Sequence, residues 1–335
     1  MDLNEALKDH IVRRCGMPFR LKRLQGDAST RHYYRASGGD GTCIVCLDPL
    51  AAGDDEYVYE TVYGIFQERG LPVPELHMRD QREGVLILQD CGDTLLEDVF
   101  LQMPQDELET VYRELLQCII KIQQVKPSDY PSITGPPFSL VFDSEKLLYE
   151  LDFFIQHMVK NFLGVDIPSS LEQELVSSFR KLASVLDSPS YFVLTHRDFH
   201  SRNVMLHEDN IYIIDFQDAR MGLPQYDVAS LLRDSYAGFE DSFFERLLFY
   251  YYQQSRDAGV HSFSWDEFCC FFDHMAFQRN LKALGTFGYQ SSVMGNDIYE
   301  RYIPRTFSYL AGYASRYELL EKIHDLLREI AGDAM

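Results

Sequence analysis

The most constraining stretch of this chain is Tyr191–Asp218, YFVLTHRDFHSRNVMLHEDNIYIIDFQD. The apolar run Tyr191–Leu194 reads as a strand entering a polar loop. Val204–Leu206 and Ile211–Ile214 read as two short strands joined by a turn at Glu208-Asp209-Asn210. That hairpin carries Asp215 back to the loop holding Asp198 and Asn203. Three oxygen-bearing side chains are therefore expected to converge.

Such a set suits phosphoryl transfer. Magnesium prefers carboxylate and amide oxygens and keeps several waters. A hydroxyl acceptor needs a carboxylate to orient it and take its proton. The spacing H-R-D-x-x-x-x-N is met from His196 to Asn203, and Ile213-Ile214-Asp215-Phe216 follows at hairpin distance. Each half alone is a weak signal; together, each after an apolar strand, they are specific. The bland reading, a polar loop in which Asp198 and Asp215 merely form turns, ranks below it.

On these residues the chain resembles the aminoglycoside phosphotransferase-like (choline kinase-like) family. Within it the chain looks most like the bacterial anomeric N-acetylmuramate/N-acetylglucosamine kinases of cell-wall recycling. The motifs that carry the resemblance are GDASTRHYYR (Gly26–Arg35), THRDFHSRN (Thr195–Asn203), IDFQDARMG (Ile214–Gly222) and YDVASLLRDSY (Tyr226–Tyr236). QRNLKALGTFG (Gln278–Gly288) and IPRTFSYL (Ile303–Leu310) carry it more weakly.

The resemblance implies an α+β, protein-kinase-like bilobal fold. A small, mostly antiparallel β lobe over residues 1–90 would bind nucleotide. A larger, mostly helical lobe over residues 91–335 would carry catalysis and the acceptor. It implies ATP and Mg2+ as cofactors, Asp198 as catalytic base, and Asn203 and Asp215 as metal ligands. His196 and Asp227 would support the catalytic loop; for Asp227, a helix N-cap is the equally physical alternative. Asp198, Arg202, Asp234 and Arg279 would meet the acceptor. For Arg233, Asp234, Arg279 and Asn280 the default reading of the residues alone is surface salt bridging.

The nucleotide side departs from the family. Gly26, Asp27, Ala28, Ser29 and Thr30 read as a tight turn between two strands, Phe19–Gln25 and Arg31–Ala36, where small residues let backbone amides approach an anion. The third strand, Thr42–Leu47, holds Cys-Ile-Val-Cys-Leu where related kinases carry a lysine. Arg31, Tyr33 and Arg35 share one face of the second strand by period two. Arg31, next to the turn, is the expected surrogate, against the alternative of a solvated edge charge. Gln89, Asp90 and Cys91 read as the interlobe hinge, its backbone facing adenine.

Composition narrows the partners. With 52 acidic against 31 basic residues the net charge is −21, which argues against nucleic acid or an anionic membrane as partner. Seven cysteines and a polar N-terminus argue against a disulfide scaffold or a secretory leader, and no run reaches membrane-spanning length. A cytoplasmic monomer acting on a small-molecule amino sugar is expected. Cys43-Ile-Val-Cys46 is read as buried thiols on opposite faces of a strand, not half of a zinc site. His196-x-x-x-His200 lacks the glutamate of a zinc helix.

Helices are expected over Leu3–Cys15, Asp55–Arg69, Gln105–Val125, Ser144–Leu163, Ser169–Leu186, Asp241–Arg256, Trp265–Leu284 and Tyr317–Ile330, with a capping box at Ser169-x-x-Glu172. A protein kinase is disfavoured, because Gln217 replaces the D-F-G glycine and no A-P-E follows. A nucleotide-binding pseudokinase is disfavoured by the complete Asp198–Asn203–Asp215 set. An aminoglycoside or other small-alcohol kinase is the main rival.

Overall fold

The computed structural model describes residues 5–24, 31–53 and 57–332. In chain order the elements begin with α1 (Glu5–Cys15), β1 (Arg20–Arg23), β2 (His32–Gly38), β3 (Gly41–Leu47) and α2 (Val58–Glu68). There follow β4 (Leu76–Asp80), β5 (Val85–Leu88), β6 (Thr94–Leu95), α3 (Leu96–Val99), α4 (Gln105–Gln123), α5 (Ser144–Phe154) and α6 (Ser169–Leu186). Next come β7 (Val193–Thr195), β8 (Val204–His207), β9 (Asn210–Ile213), β10 (Arg220–Gly222) and α7 (Gln225–Leu232). The chain closes with α8 (Asp241–Asp257), α9 (Trp265–Ser292), α10 (Ile303–Ala314) and α11 (Glu318–Ala331). No helix among the described residues is long and apolar enough to cross a membrane.

Two compact units result. The first is Met1–Leu96 with Asn203–Gln217; the second is Glu97–Arg202 with Asp218–Met335. The first unit is an antiparallel sheet in the order β1-β2-β3-β5-β4. Alternation along its strands explains its core: Ala36, Cys43, Val45, Val85 and Ile87 face Leu7, Ile11 and Cys15 of α1. Cys46 is also buried but lies three residues from Cys43 in the same strand, so it faces the other way. All seven cysteines are free.

A second small antiparallel sheet, β6-β8-β9, belongs to the same unit. Glu208 and Asp209 both take positive φ, 49° and 61°, which makes the β8–β9 link a two-residue turn whose twist matches the strands. The following Phe216 is buried against Tyr59 and Phe66 of α2, with ring centroids 4.8 and 5.5 Å away.

The second unit is helical, with α9 as its axis. Against α9 lies α5, which continues as a π-helix over Ile155–Phe162. Two glycines allow this approach. A Cβ on Gly285 would sit 2.9 Å from the Phe154 Cα, and one on Gly288 would sit 2.5 Å from the His157 carbonyl oxygen. The expected capping box at Ser169 is not formed: the α6 N-cap is Pro168, without a side-chain cap. Glu172 is drawn away by Lys160 Nζ at 2.6 Å. A capping box closes instead at Ser264 and Glu267, ahead of α9.

Candidate active site

The loop that carries Asp198 is held from below. Its leading strand β7 pairs with β10, and Thr195 Oγ1 donates to the Arg220 carbonyl at 2.8 Å. Arg197 takes φ of +85°, a conformation costly for a non-glycine residue and found where structure over-determines it. Asp227 is what over-determines it: its two carboxylate oxygens accept the backbone N–H groups of His196 and Arg197, at 2.6 and 3.0 Å. Asp227 is fully buried, and burial pushes its pKa up to about 7 against the lowering effect of those two bonds. The N-cap alternative for Asp227 does not hold, since the α7 N-cap is Pro224. His196 is buried edge-on to Phe199, at 5.3 Å.

Asp198 therefore stands on a rigid turn, its side chain one-fifth exposed. Lys282 of α9 donates to its Oδ1 at 2.7 Å, and Arg197 Nε lies 3.6 Å from its Oδ2. Arg279, one turn before Lys282, donates to the Arg197 carbonyl at 3.1 Å. Arg197 is tied in turn to Asp218 at 2.5 Å. Burial works to raise the Asp198 pKa, but Lys282, then Arg197 and Arg279, hold it well below the usual carboxylate range. His200 stays neutral, because burial drives its pKa down to about 3.

The remaining residues expected on the acceptor side are more deeply placed than surface salt bridges would be. Asp234 is 2% exposed and accepts from the backbone N–H groups of Ser201 (2.9 Å) and Tyr236 (2.8 Å), so it splints the loop just after His200. Arg279 and Asn280 are also buried, and Asn280 donates to the Arg233 carbonyl at 3.2 Å. Arg233 lies flat over Phe244, at 3.5 Å. The salt-bridge reading fails for Asp234, Arg279 and Asn280, which lie buried, where a polar group persists only with a partner; Arg233 does reach the exposed Asp241, at 3.9 Å. Arg202 is ion-paired with Glu97 (Nε to Oε2, 3.3 Å), and its guanidinium carbon lies 5.0 Å from the centroid of each of the Tyr236 and Tyr299 rings.

In the first unit the structure brings Asn203 and Asp215 together. The Ile214 N–H donates to the Asn203 carbonyl at 3.0 Å, and Asp215 then turns into the left-handed region at φ +66°. Asp215 is half exposed and accepts from Gln217 Nε2 at 2.8 Å.

Arg31 Nη1 lies 3.9 Å from Asp215, and Arg31 Nε donates to Asp48 at 2.7 Å. Asp48 ends β3 and is fully buried; it also accepts from Tyr57 Oη (2.5 Å) and the Leu50 N–H (2.9 Å). Burial opposes charge on both partners, yet Tyr33 and Asp48 hold the Arg31 guanidinium more firmly charged, and Tyr57 and Arg31 keep Asp48 low. Arg31 is thus not a solvated edge charge. Lys22, by contrast, is exposed on β1. The expected turn Gly26, Asp27, Ala28, Ser29 and Thr30 lies outside the described residues.

The segment that follows β5 is locked by Arg35. Its guanidinium forks onto Asp90 (2.7 and 2.9 Å), reaches Asp93 (2.7 Å) and donates to the Gly92 carbonyl (2.8 Å). Gln89 donates through its side chain to Tyr212 at 2.9 Å. Cys91 is buried. The side chains of Gln89 and Asp90 are thus engaged within the protein.

Sequence reasoning missed Lys282, Asp48, Tyr57 and Asp218. Lys282 carried a usable signal: with Gln278 and Arg279 it forms a polar stripe in an otherwise apolar helix. Asp48 carried none, since an aspartate ending a strand ordinarily reads as a turn former.

The geometry agrees with what this chain is similar to. Residues 20–261 match the model of the phosphotransferase enzyme family, APH. An N-acetylmuramate/N-acetylglucosamine kinase of Neisseria meningitidis is 32% identical over 94% of this chain and 92% of that protein. One of Pseudomonas aeruginosa is 30% identical over 93% of this chain and 89% of that protein. Among solved structures, an aminoglycoside phosphotransferase in complex with ADP and hygromycin B superposes with a TM-score of 0.56 at 16% identity, covering 98% of this chain and 100% of that one. Choline kinase LicA from Streptococcus pneumoniae gives 0.57 at 16% identity, over 93% and 98%.

Proposed function

Since the chain belongs to the phosphotransferase enzyme family, we propose that it is an ATP-dependent kinase of amino sugars. The γ-phosphoryl group goes to the anomeric hydroxyl of N-acetylmuramate and N-acetylglucosamine, the sugars in the names of its relatives. The observation that carries this reading is Asp198 on its splinted loop, with Lys282 Nζ on its Oδ1 at 2.7 Å. A carboxylate held low by Lys282, Arg197 and Arg279 is a weak base. A weak base suits an acceptor that is already acidic. An anomeric hydroxyl is more acidic than an ordinary sugar hydroxyl, because the ring oxygen on the same carbon withdraws electrons.

Each group then has a task. Asp198 accepts the hydrogen bond of the acceptor hydroxyl, orients it and takes its proton as the new bond forms. Asp227 and Asp234 hold that loop by its backbone. Arg31, anchored on Asp48, supplies the positive charge that a third-strand lysine supplies in related kinases, through a planar fork rather than a point charge. The 90–93 segment, clamped by Arg35, offers its main chain to the base.

Magnesium fits the donors present. Asn203 and Asp215 offer an amide and a carboxylate oxygen linked through one backbone bond, and two protein ligands suit an ion that retains water and binds phosphate. When bound, the ion neutralises charge on the phosphates. Among the described residues there is no cluster of three or more His, Cys, Asp or Glu that would hold a metal by itself.

The deciding experiment is ATP turnover with N-acetylmuramate, N-acetylglucosamine and kanamycin in parallel, with the product's phosphate position read by phosphorus NMR. Phosphate on the anomeric oxygen of the amino sugars is expected. Turnover of kanamycin alone would replace the amino-sugar reading with the aminoglycoside one.

A further inference from the structure

We propose that Lys282 is a positioning residue for Asp198, holding its carboxylate by Oδ1 in the orientation that meets the acceptor hydroxyl. The inference rests on the reading of Asp198 as the base, and it deepens that reading. Three features of the second unit carry it. Lys282 Nζ meets Oδ1 at 2.7 Å, and Arg197 Nε lies 3.6 Å from Oδ2. Both side chains keep about a fifth of their surface, 18% for Lys282 and 20% for Asp198, so the pair is reachable rather than sealed. Finally, α9 cannot drift. Gly285, three residues beyond Lys282, lies against the Phe154 backbone so closely that a Cβ there would be 2.9 Å from the Phe154 Cα.

The groups facing the pair come from four elements. Arg279 and Lys282 face it from α9, and Arg197 and His200 from the loop itself. Glu150 acts on Lys282 from α5, and Tyr226 and Asp227 feel Asp198 from α7. Arg197 is already committed to Asp218, and Arg279 to the Arg197 carbonyl. Lys282 donates directly to the Asp198 carboxylate itself. Without this tether the carboxylate is less restrained about its terminal torsion, which is broad and two-fold. The acceptor would then meet a base out of line.

The test separates positioning from mere structural support. Asp198 is followed by carboxyl carbon NMR in protein labelled at its aspartates, the resonance being assigned by its absence in Asp198→Asn. In Lys282→Met the Asp198 midpoint should rise by about 1–3 pH units, and in Lys282→Arg it should stay near that of the parent. With whichever acceptor the parent turns over, kcat should fall roughly 10- to 100-fold in Lys282→Met with KM for ATP unchanged, its acid limb displaced to higher pH. Lys322→Met removes the same charge from a surface pair with Glu174 and controls for net charge; it should move neither readout. An unmoved Asp198 midpoint in both Lys282→Met and Lys282→Gln would overturn the proposal. So would a fall in kcat with Lys282→Arg as large as with Lys282→Met. The NMR titration needs no acceptor, so a parent that phosphorylates neither amino sugar would sink the sugar reading and leave Lys282 still on trial.

Discussion

Two cation–carboxylate pairs, Arg31 on Asp48 in the first unit and Lys282 on Asp198 in the second, differ in what surrounds the carboxylate. In the first unit Asp48 is sealed: its side chain has no exposed surface, and Arg31, Tyr57 and a backbone N–H share its oxygens. In the second unit Asp198 is open over a fifth of its side-chain surface, with Lys282 on its Oδ1 at 2.7 Å. A sealed carboxylate serves as an anchor for its cation. An open one, with its cation to the side, can still receive a substrate. On the proposed reading, one pair serves as a fixed phosphate-side charge and the other as a working base.

The largest effect should come from removing the open carboxylate. Asp198→Asn is expected to lower turnover by roughly 10²–10⁴ while nucleotide binding, measured by calorimetry, survives. Turnover near that of the parent would remove Asp198 from the role of base. Asp215→Ala should also abolish turnover, but should weaken Mg-ATP binding as well; equal binding by mutant and parent would break the metal assignment.

Next is the sealed pair. Arg31→Ala should lower kcat/KM for ATP by about 2–4 kcal/mol. It should also cost about 3–5 kcal/mol of stability, because it strands Asp48 in the interior. Arg31→Lys should recover part of each, since a point charge cannot reproduce the fork. Chemical denaturation and steady-state kinetics read the two losses separately. A kinetic loss without a stability loss would mean that Asp48 is not Arg31's anchor.

Gly288→Ala probes the frame behind the open pair. Its Cβ would come 2.5 Å from a backbone oxygen of the π-helical segment, so α9 or that segment must shift. A loss of about 1–3 kcal/mol is expected in urea unfolding, larger than the helix-propensity gain of about 1 kcal/mol. A stabilised variant would show that the close approach is not required.

These pairs also show what a linear sequence reveals. Asp198, Asn203 and Asp215 were legible because a strand, a loop and a hairpin set them at short, regular spacing. The β8–β9 turn was legible from its composition for the same reason. Arg31's task was visible only as an absence, the missing lysine of β3. Its anchor Asp48 arises from the packing of Tyr57 and a strand end, which leaves no local pattern. Lys282 reaches Asp198 across 84 positions of sequence, so no window contains both. Ser169 failed in the opposite way. It has the spacing of a capping box, but Glu172 finds Lys160, and a tertiary partner overrides a local preference.

The smallest effect should be that of Lys282→Met on stability, as distinct from rate. Deleting the cation of a buried pair is costly when it leaves a bare charge in the interior. Here the stranded carboxylate keeps a fifth of its surface, and Arg197 and Arg279 still face it. Lys282 is itself penalised by burial, which lowers its pKa, so its removal relieves one desolvation cost while adding another. The net change should stay within about 1 kcal/mol at neutral pH, as for a partly exposed pair. The pH dependence has a definite sign. Asp198 is depressed in the folded state, so its contribution is present above the unfolded pKa of about 3.9 and is lost as pH falls below it. With Lys282 gone the folded value moves back towards the unfolded one, and less stability remains to be lost. Urea midpoints at pH 7.5 and at pH 3.5 should therefore fall apart less in Lys282→Met than in the parent. A neutral-pH loss as large as that of Arg31→Ala would mean that the second pair is as sealed as the first, and the contrast between anchor and base would collapse.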